Sequence, residues 1–404
     1  MTKATLFFGA LLGATLGNPA PKFTITGKVD GGQEGTKIYL RYADVGFAQR
    51  KNLDSAVLHN GSFTITGDAS SPRFCEILFR DAKAHPSATY EDKIISVFVE
   101  NSNIKIDAVY DSLGIELDGW RGQKHGFVKV SGSRSHDAYM AYDEVERSYS
   151  KRENELFDEY IKIINAKDDA DMEERYHKGV PVTVQLDEAA AVDNDFNMRY
   201  IQNHTPDAVN AYIATSFLRS SDITTTQVDS LIRYFELSKD NGYLVSHFKE
   251  IAPGYQRTAL GSEVLDMRFT DSSGKAHALR DYIGKGKYVM LECWASWCGP
   301  CRADIPHLKS MYRDFHPQGF EIISVSLDNV KDKWLKALDQ EKMPWLQLSD
   351  LHAFDGGLPK AYHINAIPHC LLFDPQGKLI TLNMRGSWMN RRLQEMYGDH
   401  FSKG

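Results

Sequence analysis

Two cysteines separated by two residues, in Trp297-Cys298-Gly299-Pro300-Cys301, are the part of this 404-residue chain whose types and spacing could do chemistry. Such a pair can hold half a zinc site, attach haem or exchange a disulfide. Zinc needs two more soft or imidazole ligands at workable spacing, and the sequence offers no second Cys-x-x-Cys and no paired-histidine motif. Haem attachment requires histidine directly after the second cysteine, where Arg302 stands. Thiol-disulfide exchange is therefore the expected chemistry, with no cofactor and no metal.

That chemistry has to be positioned. Tyr288-Val-Met-Leu-Glu-Cys293 is a near-continuous apolar run, the pattern of a central strand covered on both faces. A helix is expected directly after it, with Ile305, Leu308, Met311 and Phe315 as its buried stripe and a kink at Pro306. The helix start presents unpaired backbone N–H groups and the positive end of the helix dipole, both of which favour a thiolate. Cys298 at that end is expected to be exposed and nucleophilic, and Cys301, one turn inside, to resolve the mixed disulfide. Gly299 and Pro300 allow a tight turn into the helix, because proline in the first turn leaves no N–H unpaired.

The other cysteines, Cys75, Cys293 and Cys370, are too few and too irregularly spaced for a structural disulfide framework; Cys293 and Cys370 read as buried small hydrophobes in strands of one sheet, and Cys75 is isolated in the β-rich segment. Around the redox motif the chain changes period twice. Residues 22–130 alternate apolar and polar side chains in Phe23-Thr-Ile-Thr-Gly-Lys-Val29, Lys37-Ile-Tyr-Leu-Arg41, Ser62-Phe-Thr-Ile-Thr66, Glu76-Ile-Leu-Phe79, Ile95-Ser-Val-Phe-Val99 and Ile104-Lys-Ile-Asp-Ala108, which predicts an antiparallel β-sandwich-like domain. Residues 135–255 show helical spacing, with Tyr139, Tyr142, Val145 and Tyr149 on one stripe and Val228, Leu231, Ile232 and Phe235 on another, giving three or four helices. Thr205 is the expected cap before Pro206, and Pro253-Gly254 the expected end of this section. Residues 258–404 alternate strand and helix: a hairpin at Asp271-Ser-Ser-Gly274, then βαβ followed by αββα. The fold class expected is α/β, a β-sandwich-like domain and a helical segment preceding a C-terminal domain.

Composition narrows the partners. A net charge of -7 with lysine and arginine spread among the acids lacks the clustered basic face that phosphate binding needs, so no nucleic-acid partner is expected. Residues 1–20 have the short basic start, apolar stretch and small-residue exit of a secretory signal peptide. No other run approaches the roughly 20 apolar residues of a membrane helix, so no membrane span is expected in the mature chain.

Leu291-Glu-Cys-Trp-Ala-Ser-Trp-Cys-Gly-Pro-Cys-Arg302 resembles the active-site strand and turn of the thioredoxin superfamily. Ala303-Asp-Ile-Pro306, the segment with Trp334 and Ala366-Ile-Pro-His-Cys-Leu-Leu-Phe-Asp-Pro-Gln-Gly377 narrow the resemblance to the TlpA/ResA-like branch, related to redoxin or AhpC/TSA-type domains. It covers about 140 residues to the end of the chain and implies a thioredoxin-like fold. The β-rich segment resembles the N-terminal domain of unknown function found ahead of such modules in exported Bacteroidetes-type proteins. Peroxiredoxins proper carry a Pro-x-x-x-Thr-x-x-Cys context that is missing here.

The resemblance implies further roles. Pro368 matches the cis-proline facing the redox pair, which keeps metals off the thiols and offers the backbone of Ile367 to an extended substrate. His369 stands where threonine is common, as an added proton carrier or an exposed histidine. Glu292 falls six residues before Cys298, where thioredoxins keep a buried acid; it is either a base for Cys301 or a satisfied polar residue on a strand edge. Trp297 is expected to shield the pair and pack on the substrate. Gly-Pro between the cysteines resembles reducing thioredoxins, with potentials near roughly -270 mV against about -120 mV for the oxidant DsbA. The leading expectation is an enzyme of the periplasm or cell envelope that reduces disulfide-bearing envelope proteins, with a membrane thiol reductase as electron donor. An oxidase or isomerase using the same thiols, and an envelope binding protein with an accessory redox domain, remain alternatives.

Overall fold

The structure is a computed structural model that describes residues 22–44, 50–80, 92–115, 127–166 and 171–401. The signal-like segment lies outside the described residues. The chain divides into two compact units, residues 1–136 and 137–404.

The first unit holds β1 (Phe23–Asp30), β2 (Lys37–Tyr42), β3 (Asn52–Val57), β4 (Ser62–Gly67), β5 (Arg73–Arg80), β6 (Lys93–Val99), β7 (Asn103–Val109), β8 (Gly114–Ile115) and β9 (Val128–Ser131). They form two sheets, ordered β4-β1-β7-β9 and β3-β2-β5-β6-β8. The alternation read in the sequence becomes the inner face of the sandwich: Ile25, Ile38, Leu40, Ile65, Ile77, Val97, Ile104 and Ile106 share one core. Among the described residues every pairing in this unit is antiparallel except β1 with β7, which run parallel.

The second unit opens with five helices rather than three or four: α1 (Arg134–Ile164, its first three residues counted in the first unit), α2 (Met172–Asn203), α3 (Ala208–Phe217), α4 (Thr225–Glu236) and α5 (Tyr243–Gln256). The tyrosine stripe of α1 meets aromatics of α2, with Tyr142 and Tyr149 both stacked on Phe196. The cap of α3 is Asp207 and not Thr205, because Asp207 Oδ1 accepts from Asn210 N at 3.0 Å. Pro253 and Gly254 lie inside α5 and do not end it. A proline in the last turn of a helix removes only one backbone donor.

The rest of this unit is β10 (Arg268–Asp271), β11 (Ala276–Ala278), β12 (Tyr288–Trp294), α6 (Gly299–Phe315), β13 (Phe320–Ser326), α7 (Lys331–Glu341), β14 (Leu346–Ser349), α8 (Gly357–Ala361), β15 (His369–Phe373), β16 (Leu379–Leu382) and α9 (Ser387–Tyr397). The sheet order is β11-β10-β14-β13-β12-β15-β16, with β12 central, parallel to β13 and antiparallel to β15. This is a thioredoxin-like fold with one strand, β14, beyond those read from the sequence. Side chains of β12 alternate between two cores: Val289, Leu291 and Cys293 on one face, Met290 with Leu308 and Met311 of α6 on the other. The expected helix stripe of Ile305, Leu308, Met311 and Phe315 is buried, and α6 runs on past Pro306. Each such side chain contributes roughly 1.5–3 kcal/mol by leaving water. Among the described residues no helix is long and apolar enough to cross a membrane.

α2 seats the helical segment on the thioredoxin-like sheet. Glu173 of its first turn accepts from His307 of α6 at 2.7 Å and from Asn390 of α9 at 3.3 Å. Two turns on, Gly179 lies against Ser387, and Asp187 takes the Trp388 indole N–H at 2.9 Å and the Arg391 guanidinium.

Candidate active site

Cys298 is the N-cap of α6 and is joined to Cys301 by a disulfide with its Cα atoms 5.3 Å apart. Cys298 Sγ accepts from Cys301 N at 3.2 Å, so the sulfur occupies the capping position usually filled by a side-chain oxygen. An anion at this place gains from the same N–H and from the helix dipole. Gly299 and Pro300 form the first turn and are exposed. Cys298 itself is only 4% exposed, contrary to the exposed thiol expected, because it packs with Trp294, Ala295, Ile305, Trp334 and Ile367. The exposed neighbour is Trp297, 56% accessible.

The loop before β15 meets the disulfide from the other side. The Ile367–Pro368 bond is cis, and the Ile367 carbonyl oxygen lies 3.8 Å from Cys298 Sγ. The structure thus brings Trp297, Cys298, Cys301, Ile367 and Pro368 to one place. His369 begins β15 opposite Cys293 and is half-buried, with its Nε2 unpartnered; it is not the exposed histidine expected. Burial holds its imidazole down to about 4, so the ring is neutral at physiological pH.

Glu292 is 2% exposed on the central strand, between Ser324 and Cys370 of its two neighbours. It shares the face of Met290 and hence the side of the sheet covered by α6. Its Oε2 accepts from Ser324 Oγ at 2.7 Å, and that hydroxyl accepts from Trp345 Nε1 at 2.8 Å. Burial pushes the carboxyl up to about 8, against the lowering pull of the Ser324 hydrogen bond; Asp304 repels it and Arg385 attracts it weakly. A group poised there can take or give a proton near neutrality.

Sequence reasoning missed a second carboxylate. Asp328, at the end of β13, is buried and accepts from Ser296 N at 2.9 Å, Ser296 Oγ at 2.6 Å and Ser326 Oγ at 2.7 Å. It fixes the turn two residues before Cys298. Serines at alternate positions in the apolar run Phe320–Leu327 were the available signal for both Ser324 and Ser326. Cys293 and Cys370 are buried free thiols, as expected, and so is Cys75; burial raises the pKa of all three. No group of histidine, cysteine or acidic residues among the described residues could hold a metal ion.

Parts of the chain are similar to known proteins. Residues 260–381 match the AhpC/TSA family, and residues 23–139 match a domain of unknown function, DUF4369. The chain is 30% identical over 141 residues to the thiol-disulfide oxidoreductase ResA of Geobacillus kaustophilus, covering 34% of this chain and 78% of that protein. It is 28% identical over 144 residues to ResA of Bacillus subtilis, covering 35% of this chain and 75% of that one. The solved thioredoxin domain of a thiol-disulfide oxidoreductase from Bacteroides vulgatus is 31% identical, with a TM-score of 0.32 over 34% of this chain and 98% of its own. This chain belongs to the thioredoxin-like thiol-disulfide oxidoreductases related to ResA, with its AhpC/TSA match over residues 260–381.

Proposed function

We propose that this chain is an exported disulfide reductase of the periplasm or cell envelope, in which Cys298 is the attacking thiol, Cys301 the resolving thiol and Glu292 the proton acceptor for Cys301. The observation that carries the reading is Cys298 Sγ at the cap of α6, accepting from Cys301 N. Reduced Cys298 attacks one sulfur of a substrate disulfide, forming a mixed disulfide and releasing one substrate thiolate. Cys301, its proton passed to Glu292, then attacks Cys298 Sγ and releases the second thiolate. The enzyme ends as the Cys298–Cys301 disulfide, and two electrons have passed to the substrate. Trp297, Gly299, Pro300, Ile367 and His369 form the substrate contact surface, and Pro368 closes it.

Envelope proteins bearing disulfides are the proposed substrates and a membrane thiol reductase the proposed donor. The residues of the first 20 positions support export, with the mature chain starting between about Gly17 and Pro21. Its domains are 22–130, 135–255 and 258–404. Insulin turbidity with dithiothreitol tests the activity and a measured reduction potential tests its direction. A potential near roughly -270 mV supports reduction, and one near about -120 mV overturns it in favour of an oxidase. N-terminal sequencing of envelope-fraction protein tests export, which an intact Met1 in the cytosol would refute.

A further inference from the structure

We propose that Phe354 is a specificity-determining residue, which together with Trp297 forms an aromatic corner beside the disulfide that takes a large apolar side chain next to the substrate cysteine. This rests on the reductase reading above and names the substrates which that site prefers.

The two rings lie 6.4 Å apart between centroids with their planes at 50°, a tilted aromatic pair. Neither ring is used up by the fold. Phe354 is half-buried, and Trp297 is among the most exposed large apolar side chains of the described residues. An exposed tryptophan immediately before a catalytic cysteine costs solvation without adding to the core, and that area is recovered when a partner covers it.

Phe354 reaches this position on a loop between β14 and α8 that is held at some cost. Leu351 and Ala353 both have left-handed backbones, φ 57 and φ 51, which a residue with a Cβ adopts against a steric penalty. Asp350 offsets it: Oδ1 accepts from His352 N and Oδ2 from Gly357 N, each at 3.0 Å. Position 356 is glycine because a Cβ there would fall 2.5 Å from Asp350 Oδ2. Leu351 N donates to Ser349 Oγ at 3.0 Å, and the Leu351 side chain packs on the cluster that contains Cys298, Cys301 and Trp334. One side of the loop is therefore keyed to the redox core, and Phe354 is carried on it toward Trp297.

The Ile367 carbonyl lies 3.8 Å from Cys298 Sγ, and Trp297, one half of the aromatic corner, is the residue immediately before that cysteine. A side chain flanking the substrate cysteine falls in reach of both rings. An aromatic or long aliphatic group gains there, and a short polar one does not.

The test uses the full mature chain and dithiothreitol, with two glutathionylated peptides identical except for Phe or Ser next to the cysteine, and hydroxyethyl disulfide as a small substrate. The wild type is expected to favour the Phe peptide by about 10-fold in kcat/KM, the scale on which apolar subsites discriminate. Phe354→Ala should lose several-fold more on the Phe peptide than on hydroxyethyl disulfide, bringing the preference below about 2-fold, and Phe354→Leu should keep most of it. The hydroxyethyl disulfide rate also reports that each variant folds. An active wild type without preference, or a preference that survives in Phe354→Ala, overturns the proposal alone. A wild type inert on all three substrates overturns the reductase reading together with it.

Discussion

The Ser324 hydroxyl donates to the Glu292 carboxylate at 2.7 Å. A hydroxyl has one proton to give, and because it already accepts from the Trp345 indole, that proton is directed at Glu292. The bond favours the charged carboxylate and partly opposes the burial that raises it. Ser324→Ala should therefore move the Glu292 pKa above about 8 and shift the rising limb of the pH-rate profile, where the base deprotonates, to higher pH. An unmoved profile would mean that Glu292 does not titrate in the rate-limiting step.

Replacing Glu292 with Gln keeps the shape and removes the proposed proton acceptor. Resolution of the mixed disulfide should slow by on the order of 100-fold, the lower end for general bases because thiol exchange is limited elsewhere too. Wild-type insulin turnover from pH 6 to 8 would make the residue structural. Stability gives a second readout. The folded pKa of Glu292 is raised to about 8, so its contribution is fully present below the unfolded value near 4.5 and is lost as pH rises through 8. Glu292→Gln should thus gain stability relative to wild type at pH 9, and this advantage should shrink toward pH 4, as measured by urea unfolding.

Cys298 should react first. In the reduced protein a limiting alkylating reagent at neutral pH should label Cys298 ahead of Cys301, since Cys298 caps the helix whereas Cys301 is wholly buried. Peptide mass mapping decides it, and preferential labelling of Cys301 would reverse the two roles.

The turn before the cysteines depends on Asp328. Asp328→Ala leaves the buried Ser326 hydroxyl, and the hydroxyl and N–H of the half-buried Ser296, without their acceptor. Each unsatisfied group costs about 1–3 kcal/mol when water cannot reach it, so a loss of several kcal/mol is expected by thermal or urea unfolding. A loss below about 0.5 kcal/mol would show that the turn holds without it.

The seat of α2 can be broken at two points. A Cβ at Gly179 would meet Ser387 Oγ at 2.4 Å and the Tyr160 ring at 2.9 Å, so Gly179→Ala should destabilise by about 1–3 kcal/mol. Asp187→Ala removes the partner of Arg391, whose side chain is 6% exposed, and should cost about 2 kcal/mol; Glu395 at 3.4 Å retains part of the compensation. Calorimetry of the full chain checks both, and unchanged melting would mean that α2 is not held through these groups.

The sequence by itself determined the local facts. Alternation at period two drew six strands of the β unit, a near-continuous apolar run drew β12, and the two-residue gap between Cys298 and Cys301 before a helical stripe set the redox pair at a helix start. These signals are local because side-chain period and capping act within a few residues. Tertiary structure decided the rest. Five helices arise where three or four were readable, since α1 and α2 are stabilised by aromatic contacts across 50 residues of sequence and not by their own periodicity. The burial of Cys298 comes from Trp334 and Ile367, and the environment of Glu292 from Ser324 and Trp345 on other strands. Phe354 lies 57 residues from Trp297 in sequence, and no spacing rule connects them. Burial, solvation and facing are properties of what another part of the chain brings close, so they exist only once the sheet has assembled.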